Sequence, residues 1–287
     1  MIDKTYIINL EKHKDRKEDC IKNINSIDKK ILGNIIFYNA INGNDLDLNE
    51  LKKKNIKIRN EWKDFLTDRS LTKGELGCAL SHYNIWQEVA KSDSKITYIM
   101  EDDINFENDF NEKLKELLLE LKDIEWDFCF LDRKFMYGND LEKSNNLIIP
   151  GYSFWLNSYL INSNGAKKLI NTNFLERIIP VDEYVPMMYY KSDIRRDIGD
   201  RINPEEYMKN YDNFNKYDRL IAFSSKLPLS YIRYEYDIEK SSTENSKQII
   251  NIENFSISNK FKLKNLIIII ALLFILINKS SYLKKYF

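Results

Sequence analysis

The sequence predicts an α/β domain with a mostly parallel sheet flanked by helices. Three observations carry this. Strand-like apolar runs alternate with helix-period segments along most of the chain, the pattern of a sheet covered on both faces. Its 287 residues, 43% of them hydrophobic and 13% aromatic, can build a sizeable core. Only 8 Gly and 5 Pro argue against a disordered or low-complexity chain.

Taken in order, Tyr6–Leu10 reads as a first strand buried on both faces, and Lys14–Ile27 as a helix. Ile35–Ala40 is the second strand. Gly74–Ala90 is a helix opened by a capping box, with Thr72 as N-cap and Glu75 three residues on. Strands follow at Ile96–Met100, Trp126–Leu131 and Phe154–Ile161, with helices at Asp109–Leu121 and Gly165–Ile170. The boundaries read as a catalytic domain over 1–240, a polar linker over 241–264 and an apolar segment over 265–287. In that last segment Leu266–Ile277 is uninterrupted apolar sequence with lysines on both sides. It reads either as a core helix or as a membrane anchor, which would leave the catalytic domain cytosolic, since no signal peptide precedes the first strand.

Composition narrows the chemistry. Charge is balanced, 44 basic against 44 acidic residues, which disfavours nucleic acid as a partner. Three separated cysteines cannot make a disulfide framework, and two histidines leave little for a Cys/His zinc site. No GxGxxG or Walker A loop is present.

The sharpest local feature is Glu101-Asp102-Asp103, three carboxylates ending a buried strand. Ligands of open α/β sheets bind beyond the carboxyl ends of strands. Adjacent carboxylates resist ionisation unless a cation offsets them, and Mn²⁺ or Mg²⁺ on a diphosphate meets that need. A solvated strand end with a turn-forming Asp pair accounts for the same residues. On the Gly74–Ala90 helix, Glu75, Cys78 and His82 share a stripe. Ser81 and His82 are adjacent and point apart, so they do not make a nucleophile pair; His82 reads as a structural histidine near the sheet.

Several blocks resemble glycosyltransferase family 25: Tyr6–Leu10 with Arg16, Asn39–Gly43, Leu71–His82 and Glu101–Asp103. Further blocks resemble its procollagen galactosyltransferase branch: Glu125–Asp127 leading to Arg133-Lys134, Gly151–Trp155, Gly165–Leu169, Pro180–Pro186 and Asp218–Ser224. The family also includes bacterial lipooligosaccharide galactosyltransferases.

The resemblance implies a GT-A-like fold, a UDP-sugar donor (UDP-galactose, or else UDP-glucose), a Mn²⁺ or Mg²⁺ ion and inversion at the anomeric carbon. The implied acceptor is hydroxylysine of a collagen-like protein, or else a surface glycan. A silent relative acting as a binding module is the reading from another class. Carried over, Asn9, Leu10 and Ala40 line the donor site, supported by Glu75 and His82. Asp103, with Asp102 or Glu101, holds the metal. Asp182 and Glu183 are candidates for the base, although their place after Pro180 also suits acids at a helix N-terminus. The collagen branch has a His after its Ala-Phe-Ser block; here Ser230–Tyr234 has none, so if that His completes the metal or diphosphate site, either Arg233 substitutes electrostatically or activity is weakened. Asp132 stands where the branch has a small residue.

Overall fold

The computed structural model describes residues 1–64, 68–190 and 216–233. The chain divides into two units, Met1–Ile250 and Asn251–Phe287, and every described residue belongs to the first. The expected linker over 241–264 and the apolar segment Leu266–Ile277 lie outside the described residues. Among the described residues no helix is long and apolar enough to cross a membrane.

The first half follows the expected order: β1 (Lys4–Asn9), α1 (Lys14–Asn25), β2 (Asn34–Asn39), a short α2 (Leu48–Lys53), α3 (Lys73–Lys91) and β3 (Thr97–Glu101). After a three-residue β4 (Ile104–Phe106) come α4 (Phe110–Lys122) and β5 (Phe128–Phe130). The capping box opens α3 as read: Thr72 Oγ1 accepts from the Glu75 amide at 3.1 Å, and Glu75 Oε2 accepts from the Thr72 amide at 2.8 Å.

The second half is more broken than its sequence suggested. Short strands β6 (Lys134–Tyr137), β7 (Leu141–Glu142) and β8 (Leu147–Ile149) precede β9 (Tyr152–Phe154) and β10 (Ser158–Ile161). The single strand expected over Phe154–Ile161 is therefore two, belonging to different sheets. The break falls at Trp155, which adopts a φ of 73°, a left-handed conformation unfavourable for a bulky side chain. Helices α5 (Ser163–Ile170) and α6 (Val181–Tyr189) follow, then β11 (Ala222–Ser225) and β12 (Ser230–Ile232).

The main sheet has eight strands in the order β2-β1-β3-β10-β5-β11-β8-β7. Six point one way; β10 and β8 run against them. Each face carries its own core. Alternation along β3 sends Ile99 to the face covered by α3, α5 and α6, and Tyr98 and Met100 to the face covered by α1 and α4. Because β10 is reversed, its first residues meet the exit ends of β3 and β5 at the same sheet edge.

Candidate active site

The exits of β1, β2 and β3 open into a shallow cleft. Leu10 and Ala40 line it, with Ile41, Asn42, Cys78 and Glu101. One wall is the loop after β2, which sits directly on α3. A Cβ added to Gly77 would lie 2.4 Å from the Ile41 carbonyl oxygen, so only glycine permits this approach. The Ile41 amide donates to Ser81 Oγ at 2.9 Å, and that hydroxyl donates to the Gly77 carbonyl at 2.7 Å. Ser81 is thereby a structural clamp.

The three carboxylates part company. Alternation carries Glu101, like Ile99, toward α3, where its Oε1 lies 3.8 Å from His82 Nε2. Asp102, like Met100, turns to the opposite face and toward α1. Its Oδ1 is ion-paired with buried Arg16, and its Oδ2 accepts from Asn9 Nδ2 at 2.5 Å. Arg16 also lies 2.9 Å from Asp103 Oδ2. Asp103 Oδ1 is buried and has no hydrogen-bond partner among the described residues. Behind the triplet, Arg233 donates to the Asp102 carbonyl at 2.7 Å, and its amide donates to the Asp103 carbonyl at 2.9 Å. Arg233 thus braces the triplet's backbone.

Burial and the charge of Glu101 push the Asp103 carboxyl up to about 7, against the pull of Arg16. Burial also raises Asp102 in spite of Arg16 and Asn9. For Glu101 burial is outweighed by His82 and Arg16, which hold its carboxyl below the usual range. Glu101 and Asp103 offer carboxylate oxygens, the donor type that hard divalent cations take, and Asp103 Oδ1 is buried without a hydrogen-bond partner among the described residues. Asp102 is committed to Arg16 and Asn9.

Asp182 and Glu183 open α6 but differ in surroundings. Glu183 is 4% exposed, and its Oε2 accepts from Trp62 Nε1 at 2.8 Å. Burial pushes its carboxyl up to about 8, against that hydrogen bond. Asp182 is half-buried. Burial and the charge of Glu101 push it up to about 7, opposed by the main-chain amides of Trp155 and Leu156. Only Asp182 therefore has both solvent access and the triplet's field. The left-handed turn at Trp155, invisible in residue type, aims those two amides at it.

Of the remaining sequence candidates, Asn9 reaches the site through Asp102, and His82 lies on the α3 wall. Glu75 is engaged at the start of α3. Both its oxygens accept from Arg69, at 2.8 Å each, and it closes the helix cap. It is not among the cleft-lining residues. Asp132 stands at the exit of β5, where its Oδ2 accepts from Asn157 Nδ2 at 2.9 Å. Arg16 enters the sequence reading only as a motif residue without a role, although a basic residue on the buried stripe of α1 is a signal.

Residues 2–185 match the family model described as glycosyltransferase family 25 (LPS biosynthesis protein). The chain is 36% identical to procollagen galactosyltransferase 1-A of Xenopus laevis over 72% of its own length and 34% of the relative's. To procollagen galactosyltransferase 2 of Homo sapiens it is 32% identical, over 80% of this chain and 35% of the relative's. It is also 32% identical to the human inactive glycosyltransferase 25 family member 3, over 65% of this chain and 32% of that one. The chain thus spans about a third of the length of these relatives.

Proposed function

The chain belongs to glycosyltransferase family 25, and on that premise we propose that it transfers galactose from UDP-galactose to a hydroxyl group with inversion. The acceptor we assign is hydroxylysine in a collagen-like protein, in keeping with relatives named procollagen galactosyltransferases. The observation that carries the reading is the cleft beyond β1, β2 and β3, with Glu101 and Asp102 on its wall and, next in sequence, Asp103 Oδ1 buried without a hydrogen-bond partner among the described residues.

The donor nucleotide lies along Leu10, Ala40 and Ile41, where the Gly77 contact fixes the loop. Glu101 and Asp103 would hold a divalent cation, which when bound would supply positive charge to offset that of a diphosphate. Arg16 and Asn9 clamp Asp102 and so fix the strand end that presents the other two carboxylates. Asp182 takes the proton from the acceptor hydroxyl as that oxygen attacks the anomeric carbon and the bond to UDP breaks. Glu183, tied to Trp62, positions the first turn of α6 and stays out of the proton transfer.

The test is UDP release from UDP-galactose, Mn²⁺ and a hydroxylysine peptide. Turnover is expected for the wild type, lost with EDTA and in Asp103→Ala while the circular dichroism spectrum is kept. Full turnover in excess EDTA refutes the metal assignment, and transfer only to a glycan acceptor refutes the hydroxylysine assignment. A silent relative is the second reading. Arg16 already neutralises part of the triplet, and one similar protein is named inactive. Absence of UDP release with every acceptor, alongside intact UDP binding, selects it.

A further inference from the structure

On the α3 wall of the cleft the ligand atoms of Cys78, His82 and Glu101 all lie within 4.8 Å of one another. Cys78 and His82 are one helical turn apart on α3, and Glu101 ends β3 opposite them. His82 is fully buried, and its Nε2 has no hydrogen-bond partner among the described residues. That nitrogen points at Glu101, 3.8 Å from Oε1, too far for a hydrogen bond. Its other ring nitrogen is fixed: Nδ1 lies 2.8 Å from the Tyr159 hydroxyl, which accepts from Trp86 Nε1 at 2.9 Å. A phenolic oxygen can accept twice, so Nδ1–H can donate to it and leave the Nε2 lone pair free. Metal-binding histidines are oriented this way, with the second ring nitrogen engaged behind.

We propose that Cys78, His82 and Glu101 form a site for a thiophilic divalent ion of the Zn²⁺ class. A thiolate, an imidazole and a carboxylate are a borderline-soft set, unlike the all-oxygen set of Glu101 with Asp103. Three protein ligands leave a fourth position, and Cys78 and Glu101 both line the cleft, so that position opens onto it. Binding releases the thiol proton to solvent as the Cys78 sulfur bonds the ion. Glu101 belongs to both donor sets, so a thiophilic ion draws on a carboxylate that the proposed donor site also uses. The binding itself does not depend on that proposed activity.

The experiment is a Co²⁺ titration of the full chain, read by absorption. The expected result is a near-ultraviolet thiolate-to-cobalt charge-transfer band with strong visible bands of tetrahedral geometry, bleached by one equivalent of Zn²⁺. Cys78→Ser should lose the charge-transfer band, and His82→Asn should lose the tetrahedral bands, each with the wild-type circular dichroism spectrum. Asp103→Asn and Cys20→Ser should keep both. Absence of the band in the folded wild type overturns the proposal, as does its persistence in Cys78→Ser or its loss in Cys20→Ser. These outcomes are read without any transfer reaction, so they stand apart from success or failure of the galactose assay.

Discussion

Replacing Gly77 with alanine puts one methyl group between α3 and the loop that walls the cleft. The new Cβ would lie 2.4 Å from the Ile41 carbonyl oxygen and 2.7 Å from the Gly43 amide nitrogen. Carbon and oxygen approach comfortably only to about 3.3 Å, so the loop must retreat by about 1 Å. Both obstacles are backbone, so no side-chain rotation relieves them. The retreat also pulls the Ile41 amide off Ser81 Oγ, a 2.9 Å bond. Overpacking costs about 1–3 kcal/mol, and the stretched hydrogen bond about 1 kcal/mol more. Alanine's better helix propensity returns about 1 kcal/mol. The net is about 2 kcal/mol, a fall in Tm of about 4–8 °C for a domain of this size. Differential scanning calorimetry gives the first readout and UDP titration calorimetry the second, where weaker binding is expected because the wall has moved. Ser81→Ala, which loses the hydrogen bond alone, should fall by less. An unchanged or higher Tm in Gly77→Ala refutes the close-approach account, because helix propensity alone would then govern the site.

Three further outcomes follow from the same geometry. Asp182→Asn should lower kcat by about 10²–10⁴, the usual reach of a general base, while Glu183→Gln should retain most activity because its amide oxygen can still accept from Trp62; equal losses in steady-state kinetics would reverse the two roles. The Glu183 carboxyl is raised in the fold from 4.5 to about 8, so the folded chain binds the extra proton across that window and stability falls as pH rises through it; Glu183→Gln should flatten this slope in urea unfolding at several pH values, and an unaltered slope counts against it. Asp127 is fully buried and accepts from Lys168 Nζ, Asn164 Nδ2 and the Ile221 amide at 2.7–2.8 Å, so Asp127→Ala should destabilise by about 3–5 kcal/mol, and a loss under 1 kcal/mol by denaturant titration would mean the network contributes little.

The order of β1, α1, β2, α3 and β3 was legible because each element has enough residues to display its period. The later strands, two to four residues long, show no alternation, and tertiary pairing defines them. Phe154–Ile161 reads as one strand because its apolar run continues through Trp155, whose left-handed backbone no residue type announces. In the site, the cluster of acids was plain, but its division was also within reach. Two-residue alternation from Ile99 and Met100 dictates that Glu101 and Asp102 face opposite layers. Glu75 closes the α3 cap and pairs with Arg69, and its residue type alone does not separate a cap from a ligand site. The distinction between Asp182 and Glu183 depends on Trp62, distant in sequence and joined to α6 only by folding.

The reversed strand β10 has a consequence for how the chain is made. It pairs Tyr159 with Ile99 on one side and with Phe130 on the other. On a ribosome, β1, β2 and β3 are complete once Glu101 has emerged, yet the strand that covers β3's free edge ends roughly sixty residues later, at Ile161. At about 5–20 residues per second that interval lasts about 3–12 s. Throughout it the edge of β3 presents unpaired amides and carbonyls together with buried-type side chains, a template for any extended segment nearby. The strand that leads into the three carboxylates is therefore the last of the first half to be sealed.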